Sequence, residues 1–130
     1  MESLKKHAVL AASLVAALVL LASGGAKLAG VPQAHMSFAI LGLPAWFGYF
    51  IGSCEVAGAI GLFIRPLSAL AALGLSIIML GALYFHVSHT PLVMGVPALL
   101  VLLLCGYIFS RRRADMFSFS RPASVADVNR

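Results

Sequence analysis

The sequence predicts an all-α membrane protein: four transmembrane helices in an antiparallel bundle, with a short interfacial or re-entrant helix between the first and the second. Three observations carry this reading. Hydrophobic residues make up 62% of the 130-residue chain and charged residues only 10%, against about 25% charged in an ordinary soluble domain. The mean hydropathy is +1.03, so lipid rather than water is the solvent the surface suits. Apolar runs of the length needed to cross a bilayer, about 20 residues, recur four times. The length suits one compact domain.

The first run spans residues 8 to 29, "AVLAASLVAALVLLASGGAKLA". Lys5 and Lys6 precede it and small residues close it, a pattern shared with signal peptides. Its apolar stretch is long for one, so it reads as a transmembrane helix. The connection from Gly30 to Pro44 is too apolar for a solvated loop. Pro32 suits the start of a short helix and Gly42-Leu43-Pro44 its end, so the segment is expected in the interface or dipping into the bundle mouth. The second run covers 45 to 64 and the third 66 to 87. Arg65-Pro66 leaves almost no connection between them, and Pro66 fits a first turn, where its missing N–H costs nothing. The fourth covers 91 to 110, with Pro91 at its start and a kink expected at Pro97. The last segment, residues 111 to 130, is basic and polar and is expected to be loose or disordered.

A formal net charge of +5 would suggest nucleic acid in a soluble protein, but here the basic residues flank apolar runs. No nucleic-acid partner is expected; the bilayer is the partner. Lys5, Lys6, Arg65, Arg111, Arg112, Arg113, Arg121 and Arg130 fall on one side and only Lys27 on the other. This asymmetry places both termini in the cytoplasm. Trp46, Tyr49 and Tyr84 fall near the outer boundary and Tyr107 near the inner one, as in an aromatic belt. Cys54 and Cys105 lie in different apolar runs without C-x-x-C spacing and read as small packing residues.

Glu55 sits inside the second run. Helical spacing puts Gly48, Gly52, Ala59 and Leu62 on its face, with Gly58 beside it. Gly48-x-x-x-Gly52 lets another helix approach closely, so Glu55 points into the bundle. An intramembrane acid is a functional candidate by default, although a structural hydrogen-bonder is the plain alternative. An isolated carboxyl there is most simply protonated, since burial disfavours the charged form. Counting rises from the inner helix ends sets Ser76 level with Glu55 and puts Lys27 and His86 about 10–15 Å higher. A direct Lys27–Glu55 pair would then need tilt or a register shift, and a water-filled outer vestibule joining them is easier to build. Glu55, Lys27, Ser76, His86, Tyr84 and Trp46 are the ligand-pocket candidates; Gly48, Gly52 and Gly58 are the helix-packing residues. His35, His86 and His89 make a weak outer cluster that reads as interfacial rather than metal-binding. No hydrolase or nucleotide-binding motif is present.

The order "GGAKLAG", a long outer connection, P-x-W, "IGSCEVAGAIGLF", a short basic turn and "LSIIMLGALYFHV" resembles the DoxX-like family of small bacterial membrane proteins, over roughly residues 5 to 110. The marks are Lys27 after Gly-Gly, the G-x-x-E-x-x-G-x-x-x-L array of Gly52, Glu55, Gly58 and Leu62, and His86 closing the third helix. The resemblance implies a four-helix bundle in the bacterial cytoplasmic (inner) membrane, with Lys27, Glu55 and His86 lining a shared pocket. It also implies association with a quinone-linked oxidoreductase, with no covalent cofactor and a diffusible quinone as the group handled, no haem, flavin or iron–sulfur ligand set being visible. Whether the chain is itself an enzyme is left open. An assembly or chaperone-type binding protein is the alternative, with partner membrane subunits or a homo-oligomer as its contacts. A small proton-coupled transporter ranks third, because four-helix exporters carry their glutamate in the first helix.

Overall fold

The computed structural model describes residues 1–115. The expected loose tail beyond Asp115, with Arg121 and Arg130, lies outside the described residues. Five α-helices follow one another: α1 Glu2–Leu28, α2 Pro32–Ile40, α3 Ala45–Gly61, α4 Arg65–His89 and α5 Val96–Arg112, the last preceded by a 3-10 turn over Leu92–Gly95. Three spans, α1, α4 and the segment Leu92–Asp115, are long and apolar enough to cross a membrane alone. The pair α2 and α3, bent by 118° between them, passes the same test only when taken together, which is consistent with a four-helix membrane fold.

The long helices form a ring in chain order: α1 packs on α3, α3 on α4, α4 on α5, and α5 returns to α1. Such an up-down-up-down ring is the simplest antiparallel bundle with short connections. Its core is built of small residues as much as large ones: Ala12, Ala16, Ala17, Ala59, Ala72 and Ala98 accompany Leu20, Leu75, Val101, Cys105 and Ile108. Lipid tails are as apolar as leucine, so membrane helices associate through close backbone approach rather than through burial of oily surface. The large aliphatic residues accordingly point outward, among them Leu18, Ile60, Leu70, Leu80 and Leu103.

Helix ends follow the sequence signals. Pro32 and Pro66 sit in first turns. Gly30 and Gly42 bracket α2 with φ near +77° and +75°, the left-handed conformation that glycine tolerates best. Pro97 does not kink a continuous helix. The backbone runs as a 3-10 turn to Gly95 and becomes α-helical at Val96, which places Pro97 in the first turn of α5. A proline is compatible with that place and breaks nothing there. At the basic end Arg65 Nε donates to Asp115 at 3.1 Å, so the α3–α4 turn is tied to the segment that follows α5. Arg112 reaches the same carboxylate at 3.7 Å.

The tightest seam joins α1 to α3. A Cβ built on Gly24 would stand 2.9 Å from the carbonyl oxygen of Gly52, and one built on Gly52 would stand 3.0 Å from the carbonyl oxygen of Gly24. Each glycine thus makes room for the other's backbone. The adjacent Gly25 faces open space. Gly24→Ala is therefore expected to destabilise the bundle by about 1–3 kcal/mol through overpacking. Gly25→Ala should be neutral or gain up to about 1 kcal/mol from helix propensity. Thermal unfolding of the two variants in one detergent checks the contrast.

Candidate functional site

Glu55 is on the face of α3 that the spacing indicates, in register with buried Gly48, Gly52 and Ala59, and it is 2% exposed. It does not stand alone. Lys27 Nζ donates to Glu55 Oε2 at 3.0 Å and to Ser23 Oγ at 2.6 Å, and Ser23 Oγ donates to the same Glu55 oxygen at 3.2 Å. The expectation of separate depths joined by a watery vestibule is overturned, and with it that of an isolated carboxyl.

Side-chain direction closes the gap that residue counting opens. Helical side chains lean toward the N-terminus of their own helix. In antiparallel α1 and α3 this sends Lys27 down toward the basic end and Glu55 up to meet it. Register supplies the rest, since the glycine contacts set Gly24 beside Gly52. The stem of Lys27 lies over Gly52, where an added Cβ would come within 2.8 Å of the lysine Cβ. Any side chain at 52 would displace it.

Two contributors escaped the sequence reading. Ser23 lies one turn before Lys27 on the same face of α1, which i, i+4 spacing could have flagged. His35 was grouped with His86 and His89, but the three are not brought together. His35 Nε2 lies 2.8 Å from the carbonyl oxygen of Lys27. A carbonyl only accepts, so Nε2 carries the proton and caps the end of α1. The His35 ring packs directly on Gly48, which has no Cβ to obstruct it, and against the Tyr49 ring at 4.6 Å between centroids. His86 Nδ1 pairs with Thr90 Oγ1 at 2.9 Å, while His89 stacks on Phe85 at 5.0 Å. Among the described residues no three His, Cys, Asp or Glu side chains are grouped to hold a metal.

The ion pair forms one wall of a cavity of about 750 Å³, within the range of small-molecule sites. It lies between α3 and α4, which pack closely near their shared turn. A Cβ on Gly58 would collide with Leu75, and one on Gly61 would stand 3.1 Å from Ala71. Beyond these points the helices diverge. Phe47, Ile51 and Glu55 line one side, Ile77 to His86 the other, and α2 covers part of the gap with Ser37, Phe38 and Leu41. Tyr84, His86, Lys27 and Glu55 all border the cavity. Ser76 and Trp46 do not. The Ser76 hydroxyl donates to Ala72 O of its own helix at 2.7 Å. Trp46 faces outward, 63% exposed, edge-on to Phe47 and Phe50. Equal depth brought Ser76 into consideration, but its azimuth on α4 turns it away. Gly48, Gly52 and Gly58 pack against His35, Lys27 and Leu75 of the same chain.

Residues 11–107 match the profile of the DoxX-like family. The chain belongs to the DoxX-like family. The match spans all the elements that build the cavity, from α1 into α5. No curated protein and no solved structure matches this DoxX-like chain.

The pair is buried, with side-chain exposures of 13% for Lys27 and 3% for Glu55. Removing one partner of such a pair strands the other charge, which costs about 3–5 kcal/mol, whereas replacing both by apolar residues is often neutral. Lys27→Met and Glu55→Leu are each expected to lower the thermal midpoint sharply in detergent, and the double variant to recover most of the loss.

Proposed function

We propose that this DoxX-like membrane protein is a binding subunit for a lipophilic quinone, working beside a membrane oxidoreductase that supplies or removes the electrons. The observation that carries the reading is the placement of one compensated, hydrogen-bonded ion pair on the wall of a mainly apolar cavity. A site of this kind grips a polar head in a defined orientation and leaves the ring and tail to apolar contacts.

The residues have separate roles. Lys27 has three N–H donors and uses two within the protein. The third is suited to a quinone carbonyl. Glu55 Oε2 is held by Lys27 and Ser23, while Oε1 accepts no hydrogen bond among the described residues. That oxygen is suited to receive the hydroxyl hydrogen of a quinol, and so to take up one proton when the quinol is oxidised by the partner. Phe38, Phe47 and Ile51 exclude water from the head.

The basic end, with Lys5, Lys6, Arg65 and Arg111 to Arg113, is assigned to the cytoplasm and the α2 end to the opposite face of a bacterial inner membrane, following the charge asymmetry. The glycine face lends no support to a role in capturing other membrane helices, because its members are covered by this chain's own α1, α2 and α4.

Mass spectrometry of protein extracted directly into lipid nanodiscs tests the reading. Wild type is expected to retain a quinone, and Glu55→Gln, which keeps the shape but not the charge, to lose it. Equal quinone in both, or none in either, would overturn the proposal.

A further inference from the structure

The cavity is not sealed toward the bilayer. α2 rests on α3 and α1. Across the cavity from it stands the outer half of α4. The residues that line the gap on both sides are apolar and exposed: Met36, Ile40 and Leu41 from α2, Ile77 and Tyr84 from α4. Ile77 is 63% exposed and Tyr84 65%. In a spanning bundle such residues meet acyl chains. Gly81 lies between them along α4, lines the cavity, and a Cβ placed on it would meet nothing within 4 Å. At Gly81 the helix sends no side chain into the slot and leaves room for one. Both walls are helical, so along their length the backbone groups pair within each helix and the apolar side chains face lipid.

The inner end of the slot defines what it accepts. Lys27 and Glu55 cancel each other's charge at 3.0 Å. An ionic head would add an uncompensated charge in a region where charge is costly. What the pair itself still offers is one donor, the third N–H of Lys27, beside one acceptor, Glu55 Oε1. We infer that the slot between α2 and α4 loads the cavity sideways from the membrane leaflet on the α2 side, with a net-neutral amphiphile whose hydroxyl or carbonyl head reaches the Lys27–Glu55 pair while its long apolar chain stays in the slot beside Gly81. This rests on the cavity being a ligand site, as in the quinone reading, but adds the route, the charge and the need for a chain.

The test uses the full chain in nanodiscs and a photoreactive monoacylglycerol with a diazirine in its acyl chain. Fatty acid and alkylamine probes of the same chain length serve as charged comparators. The monoacylglycerol is expected to label Ser37 to Leu41 and Ile77 to Tyr84, and to do so at least about tenfold more than either charged probe, the equivalent of about 1.4 kcal/mol. Gly81→Phe fills the slot away from the ion pair and should abolish that labelling, while Gly81→Ala should preserve it. An excess of long-tailed benzoquinone should displace the probe. Labelling spread over all lipid-facing helices, labelling indifferent to Gly81→Phe, or equal labelling by the charged probes would overturn the inference. Quinone displacement that persists in Gly81→Phe would sink the sideways route alone and leave the quinone reading standing. Slot labelling that quinone cannot displace would sink the quinone reading alone.

Discussion

The structure depends on the backbone contact between α1 and α3 at Gly24 and Gly52. Two helices can approach this closely only where neither carries a side chain, and in lipid close approach is itself the source of attraction. The contact fixes register, and register fixes chemistry. It lays the Lys27 stem across Gly52 and brings its ammonium to Glu55. Two charges that would each be costly in a bilayer become one dipolar group with Ser23 as third partner. Neither the lysine nor the glutamate could remain buried without the glycines, and the glycines alone would leave an inert seam.

The bundle is unevenly packed as a consequence. Near the basic end the ring closes on alanines, Leu75 and Ile108, and the α3–α4 turn is fastened to the segment that follows α5 by Arg65 and Asp115. Toward the other end α3 follows α1 and leaves α4, which stays with α5. α2 covers part of the wedge, and it has no buried residue of its own. It is positioned by its connections through Gly30 and Gly42, by His35 capping the carbonyl of Lys27, and by the packing of that ring on Gly48 and Tyr49. The same lysine therefore holds the glutamate through its side chain and the cover through its main chain.

Much of this was legible in the sequence, because it depends on local pattern. Apolar run length gives the spans, and Pro32 with Gly42 gives α2. The 3- and 4-residue spacing around Glu55 gives its inward face. What was not legible depends on how one helix slides and turns against another. Residue counting from assumed ends set Lys27 too far from Glu55, because α1 begins at Glu2 and outruns α3 toward the basic end, and because side-chain lean was left out. Ser76 was matched for depth but not for azimuth. His35 was grouped with histidines near it in polarity, while its partner is a main-chain carbonyl that no side-chain pattern reveals. A kink at Pro97 is the sequence expectation because the 3-10 turn before it looks, in sequence, like more helix.

α3 has 17 residues, which at about 1.5 Å each is roughly 25 Å. The hydrocarbon layer is about 30 Å thick. α1 and α4, with 27 and 25 residues, exceed it. The protein thus presents bilayers with a tall side and a short side, and α2, bent by 118° from the axis of α3, lies on the short one. Hydrophobic mismatch costs fractions of a kcal/mol per Å, and here it falls on the side where α2 and α3 line the cavity. The lipid that adjusts to the short side is therefore the lipid next to the cavity wall.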